Sequence, residues 1–267
     1  MTDLIDVGAN LTHESFRDDL PAVLERAAGH GVRRMVVTGT SLAASAAALA
    51  LAEGRPGVIW ATAGVHPHAA ADYDDAADEG LRTLLRHPLV VAAGECGLDY
   101  NRDYSPRDAQ RTAFARQVEL AAWSGRPLFL HQRDAHGDFL AILREQGSRL
   151  PAGVAHCFTS GPVEMHEYLE LGLHIGITGW ICDERRASDL RAAVASLPLD
   201  RVVVETDCPY LLPRSIRPAP RNRRNEPGTL PEVVRVLAEF MGRNPEVVAQ
   251  ATSRNAEALF GLSAGLR

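Results

Sequence analysis

Residues 90–125 read "VVAAGECGLDYNRDYSPRDAQRTAFARQVELAAWSG". The first eleven, Val90 to Tyr100, form a nearly continuous run of small and apolar residues, as a parallel strand covered on both faces requires. A short polar turn follows. Ser105 then stands where a helix N-cap is expected, with Pro106 at the first helical position and Gly125 at the stop. One stretch therefore supplies a strand, a crossover and a helix, and the same unit recurs on either side of it. Strands are expected at 4–10, 34–40, 58–66, 90–100, 127–134, 153–158, 174–179 and 202–210. Helical patterns lie between and after them. Residues 14–31 have apolar spacing near 3.6 and end on Gly31, and 41–54 is rich in alanine. Residues 229–242 and 244–261 each open on a capping residue near a proline.

Eight strands alternating with helices over this length predict an α/β fold, a (β/α)8 TIM barrel. An open doubly wound sheet is the competing arrangement. It is disfavoured because "DVGANLTHE", 6–14, carries no glycine-rich phosphate loop after the first strand. No low-complexity linker interrupts the chain, so residues 1–267 are expected to form one domain. The one irregular stretch is 211–228, "LLPRSIRPAPRNRRNEPG", rich in proline and arginine.

Composition narrows the chemistry. The net charge of −6 is not the footprint of a tight, non-specific nucleic-acid binder. No apolar run approaches the ~18 residues of a membrane span, and no leader pattern opens the chain, so a cytoplasmic, membrane-free protein is expected. All 28 basic residues are arginines. The absence of lysine excludes Schiff-base chemistry, a Walker lysine and a carbamylated lysine bridging two metals. Cys96, Cys157, Cys182 and Cys208 are widely spaced, which argues against a zinc knuckle or a dithiol redox motif. Those beside candidate ligands are expected to face the helices, because adjacent strand residues point to opposite faces.

Reactive groups in such barrels lie at the C-terminal ends of the strands. Here those ends carry His66 and His68, Glu95 and Asp99, His131, His156, and Glu205 and Asp207. A lone histidine on a strand is most often a hydrogen-bonded core residue. Imidazoles and carboxylates recurring at one rim are costly to desolvate together unless a cation compensates them. Glu95, His131, His156 and Asp207 are therefore expected to hold a divalent metal. With no thiolate in the set, Mg2+, Mn2+ or Zn2+ would suit it. Asp207 is the candidate general base, Glu95 a shared catalytic and metal position, and His66 a candidate proton donor.

The blocks "TAGVHPH" (62–68), "GECGLDYNRDYSPRDAQ" (94–110), "LHQRDAH" (130–136), "HCFTS" (156–160), "GITGWICDERR" (176–186) and "ETDCPYLLP" (205–213) with "RNEP" (224–227) resemble the TatD family of metal-dependent hydrolases. The resemblance runs from Asp6 to Phe260. It implies an amidohydrolase-like (β/α)8 barrel and a metal-dependent deoxyribonuclease. The "GITGWICDERR" and "RNEP" blocks point to a subgroup with 3′→5′ exonuclease action on single-stranded DNA or RNA and Mg2+ as the ion. It also implies that Glu95, His131, His156 and Asp207 are the metal and catalytic positions. Most of the family begins Asp-x-His-x-His-Leu, whereas this chain reads Asp6-Val7-Gly8-Ala9-Asn10-Leu11. One well-held ion is then expected, with a second weak or dependent on substrate.

A substrate of this kind needs phosphate contacts. Arg214, Arg217, Arg221, Arg223 and Arg224 lie close together after the eighth strand. Of these Arg221, Arg223 and Arg224 are the candidate phosphate grips, although a solvated charged loop would look the same. Trp180 is a candidate platform for a base; Tyr210 is read as packing. The chain is expected to act as a monomer. The rival functions are an amide or lactone hydrolase on the same barrel, and a silent binding protein supported only by Gly8 and Asn10.

Overall fold

The computed structural model describes residues 3–262. In chain order its elements are β1 (Leu4–Ala9), α1 (Leu20–Gly29), β2 (Val32–Val37), α2 (Leu42–Glu53), β3 (Ile59–Ala63) and α3 (Asp75–Leu85). There follow β4 (Val90–Asp99), α4 (Arg107–Ser124), β5 (Leu128–Arg133), α5 (His136–Glu145), β6 (Gly153–Ala155) and α6 (Pro162–Glu170). The series closes with β7 (His174–Ile177), α7 (Ser188–Val194), β8 (Val202–Val204), α8 (Leu230–Phe240) and α9 (Pro245–Phe260). Eight parallel strands alternating with helices place the chain in the expected (β/α)8 class.

Two compact units are distinguished along the chain, Thr38–His156 and the flanking Met1–Val37 with Cys157–Arg267. In the first, β3, β4, β5 and β6 pair in that order, always in parallel. All ten residues of β4 are buried, which explains why its sequence shows so little alternation. Helix α4 packs against β4, and α2 against β3. Ser41 caps α2 by accepting the Ala44 N–H at 3.1 Å. Helix α4 starts later than its sequence suggests, with Pro106 as its N-cap. The Ser105 hydroxyl is engaged elsewhere. It donates to the His68 carbonyl (2.9 Å) and accepts from the Ala71 N–H (3.1 Å), tying the turn after β4 to the turn after β3.

In the second unit β1 pairs with β2 and β7 with β8, again in parallel. Every residue of β1 is buried, and α9 packs on both β1 and β8. Asn244 caps α9 by accepting the Glu246 N–H at 2.7 Å.

The strands are shorter at their C-terminal ends than the apolar runs imply. β3 stops at Ala63, β6 at Ala155 and β8 at Val204. The functional candidates His66, His156 and Asp207 therefore stand just beyond the ladder, on backbone free to leave the period of two.

Candidate metal centre

Glu95 is placed by an irregularity in β4. Ala93 pairs with Leu128 and Cys96 with Leu130, so three steps on β4 oppose two on β5. Such a bulge re-aims a side chain. Two glycines make it sterically feasible. A Cβ on Gly94 (φ +134°) would sit 2.1 Å from the Phe129 carbonyl oxygen, and one on Gly97 (φ +146°) 1.8 Å from that of His131. The Glu95 N–H donates to the Gly39 carbonyl at 2.8 Å, which anchors the backbone where the carboxylate turns inward.

Three imidazoles face that carboxylate. The His131 Nδ1 lies 2.9 Å, the His66 Nε2 3.3 Å and the His156 Nε2 3.8 Å from Glu95 Oε1. His156 is buried, its N–H donating to the Leu130 carbonyl (2.8 Å) and its ring 4.7 Å from that of Phe129. His66 stands at the start of the turn after β3, where its Nδ1 accepts the His68 N–H at 3.1 Å. A backbone N–H can only donate, so a neutral His66 carries its proton on Nε2, the nitrogen that faces Glu95.

Asp99 is the residue whose part the sequence did not disclose. It is buried, with its Oδ2 2.8 Å from His68 Nε2 and 3.5 Å from His131 Nε2. Its Oδ1 accepts the N–H groups of Asn101 (3.0 Å) and Arg102 (2.9 Å). Gln110, from α4, accepts the Asp99 N–H at 2.8 Å. His131 is thus held between two carboxylates. Asp99 lies four residues beyond Glu95 on one strand, and that even spacing was the available sign that both could serve one site.

The electrostatics follow from this crowding. Burial opposes the charge on Glu95, but His66 and the His131 hydrogen bond outweigh it and hold the carboxyl well below its ordinary range. Burial likewise works against Asp99, yet His131, the Arg102 N–H and His68 keep it ionised. Burial lowers His66. For His131 burial is overcome by Asp99 and Glu95, which raise it. The donor atoms of His66, Glu95 and His131 lie within 4.8 Å of one another. His131 Nε2 is buried and completes no hydrogen bond among the described residues. An ionised carboxylate, neighbouring imidazoles and a buried nitrogen without a hydrogen-bond partner form a donor set that fits a divalent cation.

The remaining candidates belong to the other unit. Asp207 follows β8 with φ +52°, and its N–H donates to the Gly8 carbonyl at 2.8 Å. Asn10 Nδ2 donates to Asp207 Oδ1 at 2.9 Å, and the Asn10 N–H to the Cys208 carbonyl at 2.9 Å. The two positions that lack histidine, Gly8 on β1 and Asn10 just past it, thus contact Asp207. Next to them Asp6 is fully buried. It accepts from the Thr206 N–H (2.9 Å), the Thr206 hydroxyl (2.5 Å) and the Gly8 N–H (3.3 Å). Glu205, also buried, accepts the Cys157 N–H at 2.6 Å.

The arginines differ from one another. Arg221 and Arg223 are exposed. Arg224 is covered and committed. It donates to Asp19 at 2.9 and 2.7 Å, to Glu226 at 2.7 Å and to the Ser15 carbonyl, and its guanidinium lies over Phe16. Its charge is already matched, so the structure gives it a structural part in place of the expected phosphate grip. Trp180 lies in the turn after β7, with the Arg186 guanidinium 4.2 Å over its ring. Tyr210 is exposed, although the His13 ring meets it edge-on at 5.7 Å. Cys96 and Cys208 are buried thiols, as expected. Cys157 is only half-buried, because β6 has ended and its φ is +47°; its Sγ is 3.6 Å from the Thr178 hydroxyl.

The family model described as TatD related DNase matches residues 5–261. The chain belongs to this family. Among its TatD relatives, the 3′-5′ ssDNA/RNA exonuclease TatD of Edwardsiella piscicida is 49% identical over 260 residues, covering 97% of this chain and 100% of the relative. The protein of the same name from Musicola paradisiaca is 48% identical over 259 residues, 97% and 98% of the two chains. The crystal structure of a TatD homolog from Escherichia coli superimposes with a TM-score of 0.89 at 30% identity, covering 97% of this chain and 98% of the other. His66, Glu95 and His131 form a candidate group for a metal ion in this chain of the DNase family. No described helix is long and apolar enough to cross a membrane.

Proposed function

We propose that the chain is a metal-dependent nuclease that hydrolyses phosphodiester bonds, removing nucleotides from the 3′ end of single-stranded DNA or RNA. The observation that carries this reading is the buried, ionised Glu95 with three imidazole nitrogens within 3.8 Å, in a chain of the DNase family. The names of the closely similar relatives support the substrate class and polarity.

Glu95, His131 and His156 would hold the ion, with Asp207 joining them by the family's pattern. When bound, a divalent ion supplies Lewis acidity, offsetting phosphate charge and making a water more acidic. Mg2+ is the ion proposed, with Mn2+ and Zn2+ as competitors, and a second ion is weak or brought by substrate. Asp207 takes the proton of the attacking water. The Asn10 amide, donating to Asp207 Oδ1 at 2.9 Å, orients that carboxylate for the transfer. His66, protonated on Nε2, donates toward a phosphate or leaving oxygen. Asp99 keeps the His131 ring in place, as carboxylates behind ligating histidines do. On this reading residues 1–267 act as one domain and as a monomer, in the cytoplasm, in DNA repair or nucleic-acid turnover.

The test is direct. The protein is stripped of metal and given single-stranded DNA labelled at its 5′ end, with Mg2+, Mn2+ or Zn2+ added separately and His156→Ala alongside. A ladder shortening stepwise from the 3′ end, dependent on metal and absent in the variant, is expected. No cleavage with any ion, or full activity in the variant, refutes the reading and turns attention to amide and lactone substrates.

A further inference from the structure

The turn after β7 gathers arginines around one buried carboxylate. Asp183 receives Arg185 through two guanidinium nitrogens, Nε at 3.0 Å and Nη2 at 2.9 Å. Arg186 Nε reaches its Oδ2 at 2.9 Å, and Arg214 Nε stands 3.5 Å from its Oδ1. Asp183 itself is 3% exposed, whereas Arg185 and Arg186 are 56% and 54% exposed. Glu184 is the second acid in the group, 3.6 Å from Arg214 Nη2. Three guanidiniums therefore face two carboxylates, and positive charge is left over at an open surface of an acidic chain.

The contrast with Arg224 is informative. There Arg224 and Arg26 meet Asp19 and Glu226, charge for charge, and the Arg224 side chain is 14% exposed. That group is a closed tie. The Asp183 group is open and unbalanced. Asp183 holds Nε and Nη2 of Arg185 and Nε of Arg186, while both side chains stay exposed and keep N–H groups beyond those it engages. Trp180 backs the Arg186 plane from below at 4.2 Å. Fixed, planar donors of this kind match phosphate oxygens and lose little freedom on binding. The turn is also anchored to the segment that follows Asp207. A Cβ on Gly179 would fall 2.1 Å from the Leu211 carbonyl oxygen, so the two loops touch at backbone level.

We infer that Arg185, Arg186 and Arg214, ordered by Asp183 and backed by Trp180, form a binding subsite for backbone phosphates of the single strand, separate from the phosphodiester being cleaved. The inference rests on the nuclease reading above and adds to it a place where the uncleaved part of the strand is held. The arginines act as positioning contacts and touch no reacting atom.

The experiment compares wild type, Arg185→Ala, Arg186→Ala, Asp183→Asn and the control Arg235→Ala, whose charge lies on α8 beside Glu232 and Glu239. Substrates are one oligonucleotide sequence made as DNA and as RNA, and bis(p-nitrophenyl) phosphate, which has no second phosphate. Each loop arginine variant is expected to raise KM for both oligonucleotides about tenfold, with kcat and the small diester unaffected. Each should also flatten the dependence of KM on salt by about 0.7 in log–log slope. Its deficit would then be about 2.6-fold larger at 50 mM than at 200 mM salt. Asp183→Asn removes a negative charge but releases the geometry, so weaker binding supports an ordered subsite and tighter binding overturns it. Equal losses on the small diester, an effect confined to RNA, or the same shift in Arg235→Ala would each overturn the assignment. If wild type digests neither oligonucleotide, the nuclease reading itself fails; if it digests them and the loop variants match it, only the subsite fails.

Discussion

Replacing Asn10 with alanine tests whether the residue in the vacated histidine position works through Asp207. The perturbation is local. The Asn10 N–H still donates to Cys208 and the Asp207 N–H still donates to Gly8, so the backbone of both loops stays tied whatever side chain is present. What is lost is one hydrogen bond of 2.9 Å from an amide to a carboxylate. Bonds to charged groups contribute about 1.5–3 kcal/mol. At about 1.36 kcal/mol per tenfold, a full loss from the transition state lowers kcat by about 10- to 150-fold. Asn10 is only half-buried and water can replace part of the bond, which favours the lower end of that range. Asn10→Asp sets an acceptor against an acceptor and should lose more. Asn10→His restores an N–H donor and should recover part of the rate. The assay is digestion of 5′-labelled single-stranded DNA, with thermal melting to show that each variant is folded. A folded Asn10→Ala within threefold of wild type, or Asn10→Asp as active as wild type, refutes the reasoning.

Other consequences can be checked separately. Burial, only partly offset by the Thr206 and Gly8 hydrogen bonds, pushes Asp6 up to about 7, against about 3.9 in an unfolded chain. Between those values the folded protein holds a proton that the unfolded chain has released, so stability falls as pH rises and levels off above about 7. The total is on the order of 4 kcal/mol. Urea unfolding at pH 5 and pH 8 should show the fall in wild type and its loss in Asp6→Asn; an unchanged difference between the two pH values in the variant contradicts it. Gly97→Ala drives a methyl into the His131 carbonyl and should cost about 3 kcal/mol or more, with activity lost. Gly137→Ala, in α5 with nothing within 4 Å of the added carbon, should stabilise by about 0.4–1 kcal/mol; thermal melts that fail to separate the pair would count against the close approach of β4 and β5. Asp99→Asn keeps an acceptor for the backbone N–H groups but removes the charge behind His131 and His68. Titration calorimetry should then find Mn2+ binding weakened about 10- to 100-fold, and unchanged affinity would dismiss Asp99 as a positioning residue.

What was legible in the chain, and what was not, divides along physical lines. Strand–helix alternation was readable because burial on both faces of β4 removes polar residues from a whole run, and no distant partner is needed to see that. The strand ends were read too long for the same reason. Buried residues continue past Val204 and Ala155, among them Thr206, Cys208 and Phe158, but the backbone has left the ladder, and Cys157 and Asp207 take positive φ values that a period of two cannot anticipate. Cys96, still on β4, is buried. Asp99 went unassigned because its meaning lies in the His131 and His68 rings it meets, which come from β5 and from the turn after β3. The arginines make the point most sharply. The loop 211–228 has the denser run, yet Arg224 is neutralised by Asp19, a partner 205 positions away that no local reading can reach. Arg185 and Arg186 take their partner from Asp183, two and three positions away, so the carboxylate that orders them is visible within the block "DERR" itself. Charge density in a sequence therefore says little about where an anion can bind. Local pairing that orders a guanidinium without covering it says more, and that distinction points to the turn after β7, and away from Arg224, as the surface that grips the strand.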